Sequence, residues 1–288
     1  MARLLALVGV AVISFSAIFV RLAAVAPTTS AFFRAVYALP FLWALALWQR
    51  DKRSFKSRLI AVGAGIFLGL DLAFWHYAID DVGAGLATVL GNTQVVFVGL
   101  LAWWIHGERP RTEAVLAIPL VFAGVTLIAG VGSTAAFGAN PQRGVIFGLM
   151  TAITYAGYLL VYRVAGRGAK NPAGPLLDVS IGAALGALLI GLIDGRLSFE
   201  ITWPAHGWLL ALALASQVVG WLLIGSALPR LPALETSVML LLQPMMTIFW
   251  AWLIFAERLS PLQGVGVALV LGGVGWISIR GAVADDSA

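Results

Sequence analysis

An acid, a tryptophan and a histidine lie close together inside one long apolar stretch of the sequence. Asp71 stands near its middle, and Trp75 and His76 follow about one helical turn later. In a helix, Asp71 and Trp75 share one face and His76 lies at its edge. Such a face could bind a polar substrate or carry a proton, because charged groups inside a membrane normally face a cavity or a partner. The alternative is an interhelical hydrogen bond in which Asp71 accepts from Asn92 or Arg34.

Other apolar stretches also carry amide, hydroxyl and aromatic side chains at mid-depth. Gln94 and Gln243 stand in comparable positions of two stretches, and Pro244 follows the second glutamine. Aromatic rings beside amides and hydroxyls suit a largely apolar pocket with a few orienting polar groups. Helix–helix hydrogen bonds, each contributing about 0.6 kcal/mol, are the competing explanation. The predicted substrate-binding set comprises Phe15, Asp71, Trp75, His76, Asn92, Gln94, Tyr155, Tyr158, Gln217, Trp221 and Gln243.

The sequence offers no recognisable catalytic or metal-binding pattern. It has no cysteine, which excludes disulfides, thiolate metal ligands and cysteine nucleophiles. The three histidines stand far apart, and none belongs to a His-Glu-x-x-His pair. Asp80 and Asp81 lack the second acidic cluster expected of a prenyl-diphosphate site. We therefore expect no catalytic residue, no metal ligand and no cofactor, which argues against an intramembrane enzyme.

The composition places these residues in a membrane. Of the 288 residues, 61% are hydrophobic and 11% are charged, and the mean hydropathy is +0.97. A soluble domain has about 25% charged residues, so this chain cannot cover a water-facing surface and a lipid bilayer must surround it. The net charge of +5 does not indicate nucleic-acid binding, because basic residues cluster in one short loop, Arg50–Arg58.

The apolar stretches are long enough to span a bilayer. A helix needs about 20 apolar residues to cross about 30 Å of hydrocarbon. Ten stretches meet this requirement, and turn signals such as Pro27, Asn140-Pro141 and Ser260-Pro261 separate them. We predict an all-α membrane protein of ten transmembrane helices, at residues 4–25, 30–49, 57–79, 82–106, 113–131, 143–166, 173–194, 205–228, 233–256 and 261–279.

The distribution of basic residues predicts the orientation of these spans. With the N-terminus in the cytoplasm, 13 of the 18 Lys and Arg residues lie inside or at inner edges. Because Lys and Arg are retained on the cytoplasmic side, both termini are expected there, including a short tail at 280–288. The 13 residues are Arg3, Arg50, Lys52, Arg53, Lys56, Arg58, Arg109, Arg111, Arg163, Arg167, Lys170, Arg230 and Arg280.

The two halves of the sequence contain an internal repeat. A shift of 149 residues aligns 78–128 with 227–277 without a gap and matches 14 of 51 positions. Apolar composition alone does not explain matches at polar positions. The polar matches are Gln94 with Gln243, and Glu108-Arg109 with Glu257-Arg258.

The repeat fixes the architecture of the predicted bundle. It maps spans 4 and 5 onto spans 9 and 10, so residues 4–131 and 143–279 each form a unit of five helices. Because five is odd, the second unit must lie in the membrane inverted relative to the first. Inverted repeats are typical of transporters whose substrate binds between the halves, and two unequal halves fit a carrier better than an oligomeric channel.

A short motif closes the fourth span of each half. It reads Gly107-Glu108-Arg109 in the first half and Ala256-Glu257-Arg258 in the second. A Gly-Val step in each fifth span, Gly124-Val125 and Gly273-Val274, accompanies it. With these features the chain resembles the EamA-type branch of the drug/metabolite transporter superfamily over nearly its whole length. Trp75-His76-Tyr77 adds a likeness to YddG-type exporters of aromatic amino acids. The resemblance implies efflux of small metabolites across a bacterial inner membrane.

The resemblance implies an amino acid as the substrate, and the residues are compatible with one. Rings that could stack on an aromatic substrate are Trp75, Tyr155, Tyr158 and Trp221. Groups that could orient its amino and carboxylate ends are His76, Asn92, Gln94 and Gln217. The alternative is a drug or organic cation held by Asp71 in an aromatic cage. Asp71→Asn is then expected to abolish cation flux but to spare amino-acid flux.

Two further features have structural interpretations. Arg21 and Arg34 lie near the predicted outer ends of spans 1 and 2, where their long side chains are expected to snorkel to the interface. Gly65-x-x-x-Gly69 and Gly182-x-x-x-Gly186 allow helix backbones to approach closely. We expect these glycines to pack helices within one bundle, which favours a monomer over a dimer.

Overall fold

The structure is a computed structural model that describes residues 1–107, 112–131, 135–165, 171–227 and 230–286. The regular elements within these ranges are helices, and no strand occurs among them. The motif residues Glu108 and Arg109 lie outside the described residues, as does part of the stretch 132–142 between the fifth and sixth predicted spans. The elements are α1 (Ala2–Ser14), α2 (Ser16–Ala23), α3 (Pro27–Trp48), α4 (Phe55–Gly91), α5 (Gln94–His106), α6 (Thr112–Ile128), α7 (Pro141–Ala165), α8 (Ala173–Asp194), α9 (Ala205–Leu212), a π-helical segment (Ala213–Gly220), α10 (Trp221–Ala227), α11 (Ala233–Phe255) and α12 (Pro261–Asp286).

Most of these helices can cross a membrane. In the described part of the chain, eight stretches are long and apolar enough, with mean hydropathies of 1.5 to 2.3. Two shorter apolar helices cover Gln94–Ile105 and Val115–Ile128. The protein is therefore an all-α, multi-pass membrane protein.

The longest stretch, Phe55–Gly91, contains a sharp change of direction. Its 37 residues would extend about 55 Å as one helix, well beyond a hydrocarbon core of about 30 Å. Gly83 breaks the helix, with φ 85° and ψ 170°, a conformation that favours glycine. The stretch consists of two helices, residues 55–82 and 84–91, which meet close to the predicted boundary between spans 3 and 4.

The predicted fourth span, 82–106, is wrong as a single helix, because Asn92 and Thr93 interrupt it between α4 and α5. Asn92 Nδ2 donates to the Thr88 carbonyl at 2.8 Å, and Thr93 Oγ1 donates to the Leu90 carbonyl at 2.7 Å. Side chains that bond to backbone groups of the preceding turn compete with the regular helix and often bend it. The first predicted span is divided likewise, at Phe15 between α1 and α2.

Helix α4 is central to the bundle and packs against α7 and α8. The two small-residue motifs form its contact with α8. A Cβ on Gly65 would lie 2.1 Å from the Val179 carbonyl oxygen, and one on Gly182 would lie 1.9 Å from that of Val62. Only glycine permits this approach, so both motifs pack helices within the chain, as expected.

Ion pairs join helices at both ends of the bundle. At the end that carries Arg50–Arg58, called the basic end, Asp178 on α8 pairs with Arg53 at 2.5 Å and with Arg58 at 3.2 Å. At the other end, called the far end, Arg143 on α7 pairs with Asp81 on α4 at 2.5 Å. These contacts hold the helices around a central cavity.

Candidate functional site

A cavity of about 160 Å³ lies in the middle of the bundle. It is bordered by the junction of α1 and α2, by α3, α4, α5, α7, α10 and α11, so both halves of the chain contribute. Its lining consists of Ile13, Ser16, Arg34, Leu68, Asp71, Leu72, Trp75, Thr88, Gly91, Asn92, Gln94, Thr151, Tyr155, Trp221, Ile224, Leu240 and Gln243.

The structure brings together most, but not all, of the predicted substrate-binding residues. Seven line the cavity: Asp71, Trp75, Asn92, Gln94, Tyr155, Trp221 and Gln243. The other four lie outside its lining: Phe15, His76, Tyr158 and Gln217.

The four remaining residues each have a packing partner. Phe15 stacks on Trp250 with ring centroids 4.6 Å apart. His76 is fully buried and its Nδ1 donates to the Pro27 carbonyl at 3.2 Å. Tyr158 lies behind Tyr155, with the two ring centroids separated by 5.3 Å. These three contacts support the helices around the cavity, whereas Gln217 has a more direct connection to it.

The expectation that Arg34 snorkels to the interface is wrong. Its Cα lies seven residues into α3, about 10 Å from the start of the helix, and the residue is only 4% exposed. Its Nη1 donates to Ser16 Oγ at 2.9 Å, and its Nε donates to Gln217 Oε1 at 3.1 Å. The arginine therefore turns inward and presents a guanidinium to the cavity that it lines.

Gln217 positions this guanidinium. It is fully buried, and its Nε2 donates to Ser180 Oγ on α8 at 3.1 Å while its oxygen accepts from Arg34. Gln217 belongs to the π-helical segment Ala213–Gly220. π-Helical turns are rare and occur frequently at functional sites. Here the segment places behind the arginine an amide whose nitrogen and oxygen are both hydrogen-bonded, a relationship that no local sequence pattern indicated.

Asp71 is the acidic group of the cavity. It is 5% exposed and lies on α4, one turn before Trp75. Among the described residues, no donor bonds to its carboxylate and no ion pair within 4.0 Å joins it to Arg34. Its backbone carbonyl accepts from Thr151 Oγ1 at 3.4 Å, which ties α4 to α7. The cavity thus contains one acidic and one basic side chain that form no ion pair with each other.

Aromatic groups form the apolar part of the lining. The guanidinium carbon of Arg34 lies 6.0 Å from the Trp75 ring, and Tyr155 and Trp221 contribute further rings. Rings can hold an apolar or aromatic side chain by offset or edge contacts. The arrangement suits reversible binding of a small molecule that carries charges at one end and an apolar body at the other.

A buried glutamate joins helices of both halves at the far end. Glu257, between α11 and α12, pairs with Arg21 on α2 and is 5% exposed. It also accepts hydrogen bonds from the backbone N–H of Ala84 at 2.9 Å and of Gly85 at 3.3 Å. These N–H groups begin the helix that follows the break at Gly83, where a carboxylate is favourable. One side chain therefore connects three helices from the two halves.

Comparisons with known proteins identify the family of this chain. The model of the EamA-like transporter family matches residues 1–130 and 142–279. The uncharacterized protein PA1977 of Pseudomonas aeruginosa is 30% identical over 219 residues, 74% of this chain and 71% of the relative. The uncharacterized transporter YwfM of Bacillus subtilis is 25% identical over 202 residues, 70% of this chain and 67% of the relative. A solved crystal structure aligns over 99% of this chain and 98% of the matched chain, with 16% identity and a TM-score of 0.62. This similarity shows the fold alone.

Proposed function

This chain belongs to the EamA-like transporter family, and on that premise we propose that it exports neutral, chiefly aromatic, amino acids by alternating access. The observation that carries the proposal is the central cavity, in which an acid, a guanidinium and aromatic rings from both halves meet. The proposed location is a bacterial inner membrane, with both termini in the cytoplasm.

The size of the cavity supports a small substrate. A dry cavity of about 150 Å³ in another protein holds benzene, whereas drug-sized ligands need pockets of about 300–1,000 Å³. At about 160 Å³, this cavity can hold one aromatic ring before the surrounding side chains adjust. An amino acid suits it better than a large drug.

Several features support ten spans in two inverted five-helix repeats, residues 4–131 and 143–279. Gly107 and Ala256, which the repeat aligns, both end their helices in the left-handed conformation, with φ 69° and 53°. Contacts between the halves also recur with the halves exchanged. In the repeat, α1 corresponds to α7, α4 to α10 and α5 to α11. The packing of α4 and α5 on α7 is matched by the packing of α10 and α11 on α1.

The inverted repeats offer a mechanism for transport. If the halves rock about the cavity, the substrate becomes accessible from one side at a time. The distribution of basic residues predicts that the far end lies outside, and we infer that the contacts of Glu257 hold this end closed in the described state. Outward release then requires the contacts of Glu257 to break.

An organic-cation exporter is the second candidate. Asp71 beside Trp75 favours it, since a cation binds an acid and an aromatic face. Arg34 in the same cavity opposes it, because a like charge raises the free energy of a bound cation. The amino-acid proposal accommodates both charged residues.

Cells fed with phenylalanine dipeptides provide a direct test. Hydrolysis of the dipeptides overloads the cytoplasm with free phenylalanine, and the proposal predicts that expression of this protein raises tolerance and efflux. Gly91→Phe is the matched control, since a Cβ at Gly91 meets only ordinary contacts, 3.4 Å from Thr151, while the ring fills the cavity. Equal efflux from cells with the wild type, the control variant or no transporter would contradict the amino-acid assignment.

The proposed orientation has its own test. The chain has no cysteine, so a single Ser287→Cys substitution gives one site for an impermeant thiol reagent. With a cytoplasmic C-terminus, this cysteine reacts only after the cells are broken. Reaction in intact cells would reverse the orientation.

A further inference from the structure

We propose that Arg34 binds the carboxylate of the substrate and that Arg34 and Asp71 together restrict the cavity to molecules carrying both a carboxylate and an ammonium group. The inference rests on the proposed function and assigns the substrate selectivity of the transporter to two charged residues. The sequence pointed instead to neutral groups, of which His76 and Gln217 do not line the cavity. Arg34 itself lies outside the predicted substrate-binding set.

Arg34 is fixed in position without being neutralised. Among the described residues, its hydrogen-bond partners are the neutral oxygens of Gln217 and Ser16, at 3.1 and 2.9 Å. A guanidinium has five N–H donors, and these two hydrogen bonds use two of them. The remaining donors can bind a carboxylate through two parallel hydrogen bonds, the geometry for which arginine is suited. The group is therefore pre-organised for an anion.

Asp71 does not supply that anion. A direct pair between Asp71 and Arg34 would be the simplest way to satisfy both charges, but none within 4.0 Å exists among the described residues. Both residues instead line the same cavity and are 5% and 4% exposed. The protein holds two opposite charges apart across a space that a ligand can enter.

The ligand that satisfies both residues is a zwitterion. A buried charge without a partner is costly. A carboxylate at Arg34 and an ammonium group at Asp71 remove both costs at once, whereas an amine or a carboxylic acid leaves one charge unpaired. The Trp75 ring, 6.0 Å from the guanidinium carbon of Arg34, can contact the substrate's apolar body.

Wild-type protein in liposomes tests this selectivity without any substitution. Uptake of labelled L-phenylalanine is measured against two competitors with the same ring: phenethylamine, which lacks the carboxylate, and 3-phenylpropionate, which lacks the ammonium group. We expect each to need at least about tenfold higher concentration than unlabelled L-phenylalanine for equal inhibition, equivalent to about 1.4 kcal/mol. Phenethylamine competing as well as L-phenylalanine would overturn the role of Arg34.

Substitutions then distinguish the role of Arg34 from that of Asp71. Arg34→Gln is expected to lower kcat/KM for L-phenylalanine at least about tenfold and to admit phenethylamine. Asp71→Asn is expected to lower kcat/KM for L-phenylalanine as well and to admit 3-phenylpropionate, which replaces the expectation from the sequence that this variant spares amino-acid flux. Arg34→Lys keeps the charge and should retain the preference for a carboxylate. Arg230 is exposed at the basic end, so Arg230→Gln is the matched control and should leave the ratios of L-phenylalanine to phenethylamine and to 3-phenylpropionate unchanged. If Arg34 is merely structural, Arg34→Gln lowers all fluxes equally and the ratios stay constant.

The inference and the proposed function fail in different ways. If reconstituted wild-type protein moves none of the neutral amino acids, the proposed function is wrong and the inference falls with it. If the wild type moves L-phenylalanine but Arg34→Gln keeps the wild-type ratio of L-phenylalanine to phenethylamine, only the inference is wrong. Should Arg34→Gln not fold, the competition experiment and Arg34→Lys still decide the question.

Discussion

Glu257 and Arg21 form an ion pair that links the connection after α11 to helix α2, at the end of the bundle opposite the Arg50–Arg58 loop. The guanidinium carbon of Arg21 also lies 4.2 Å from the centre of the Phe255 ring. Because the same carboxylate accepts from Ala84 and Gly85, the pair is part of a contact that spans both halves. A carrier that releases substrate at this end must break that contact.

Glu257→Gln should therefore favour opening toward the exterior. Removing one partner of a buried pair weakens the closed state, and each 1.4 kcal/mol lost raises the open population about tenfold. The measurement is the labelling rate of Thr151→Cys in the cavity by an impermeant thiol reagent added outside. Glu235→Gln is the control, since Glu235 pairs with Arg3 at the basic end. An unchanged labelling rate in Glu257→Gln would show that Glu257 does not hold the far end closed.

The contact between α4 and α8 should tolerate no side chain at its glycines. Gly182→Val places a Cβ 1.9 Å from the Val62 carbonyl oxygen, so the helices must separate. Overpacking of this kind costs about 1–3 kcal/mol. We expect a lower thermal unfolding temperature in detergent, which size-exclusion chromatography of heated samples measures. Gly264→Val is the matched control, because a Cβ there meets nothing within 4 Å. Equal stability of the two variants would show that α4 and α8 lie further apart than described.

Gln217 should control selectivity although it lies outside the cavity lining. Gln217→Glu keeps the shape of the side chain but places a carboxylate against Arg34 Nε, 3.1 Å away in the wild type. The new anion neutralises Arg34, so the variant should resemble Arg34→Gln and lose its preference for L-phenylalanine over phenethylamine. The competition assay in liposomes measures this ratio, and Gln263→Glu, distant from the cavity, controls for a new buried acid. A wild-type ratio in Gln217→Glu would show that Gln217 does not act through Arg34.

The loop at the basic end should give a pH-dependent contribution to stability. Burial raises the pKa of the Asp51 carboxyl, but hydrogen bonds from Arg53, the shortest 2.8 Å, outweigh burial and bring that pKa below its ordinary value of about 3.9. A depressed pKa stabilises the folded state above the unfolded pKa, and this stabilisation is lost as pH falls through the folded pKa. Asp51→Asn should thus destabilise at neutral pH, with a difference that shrinks below about pH 4. The exposed neighbour Lys52→Gln serves as the control in thermal unfolding, and a pH-independent difference would contradict the ion pair.

The sequence predicted the positions of the helices more accurately than their continuity. The seventh predicted span, 173–194, coincides with α8 because Pro172 precedes the helix and Gly195 ends it in the left-handed conformation. The breaks at Phe15 and at Asn92-Thr93 were not predicted, because each falls inside an apolar stretch long enough to be counted as one span. They depend on side-chain hydrogen bonds to the backbone and on contacts with other helices.

The site was predicted in part for a similar reason. Asp71 and Trp75 were recognisable because charged and large aromatic residues at mid-span stand out against an apolar background. Arg34 was misjudged because a residue near a helix end normally reaches the interface. Its inward direction depends on Gln217, 183 residues away and placed by a π-helical segment that the sequence does not reveal. Only the packing of distant helices shows that relationship.

Counterflow in liposomes is the most direct test of amino-acid transport by this cavity. Vesicles loaded with unlabelled L-phenylalanine are diluted into labelled L-phenylalanine, with and without a pH gradient. We expect transient, saturable accumulation of label inside the vesicles. Vesicles loaded with phenethylamine instead of L-phenylalanine should not accumulate label. A change in accumulation with the pH gradient will show whether transport is coupled to protons. Gly91→Phe vesicles should show none. Absence of counterflow with any neutral amino acid, from folded protein in sealed vesicles, would contradict the proposed function.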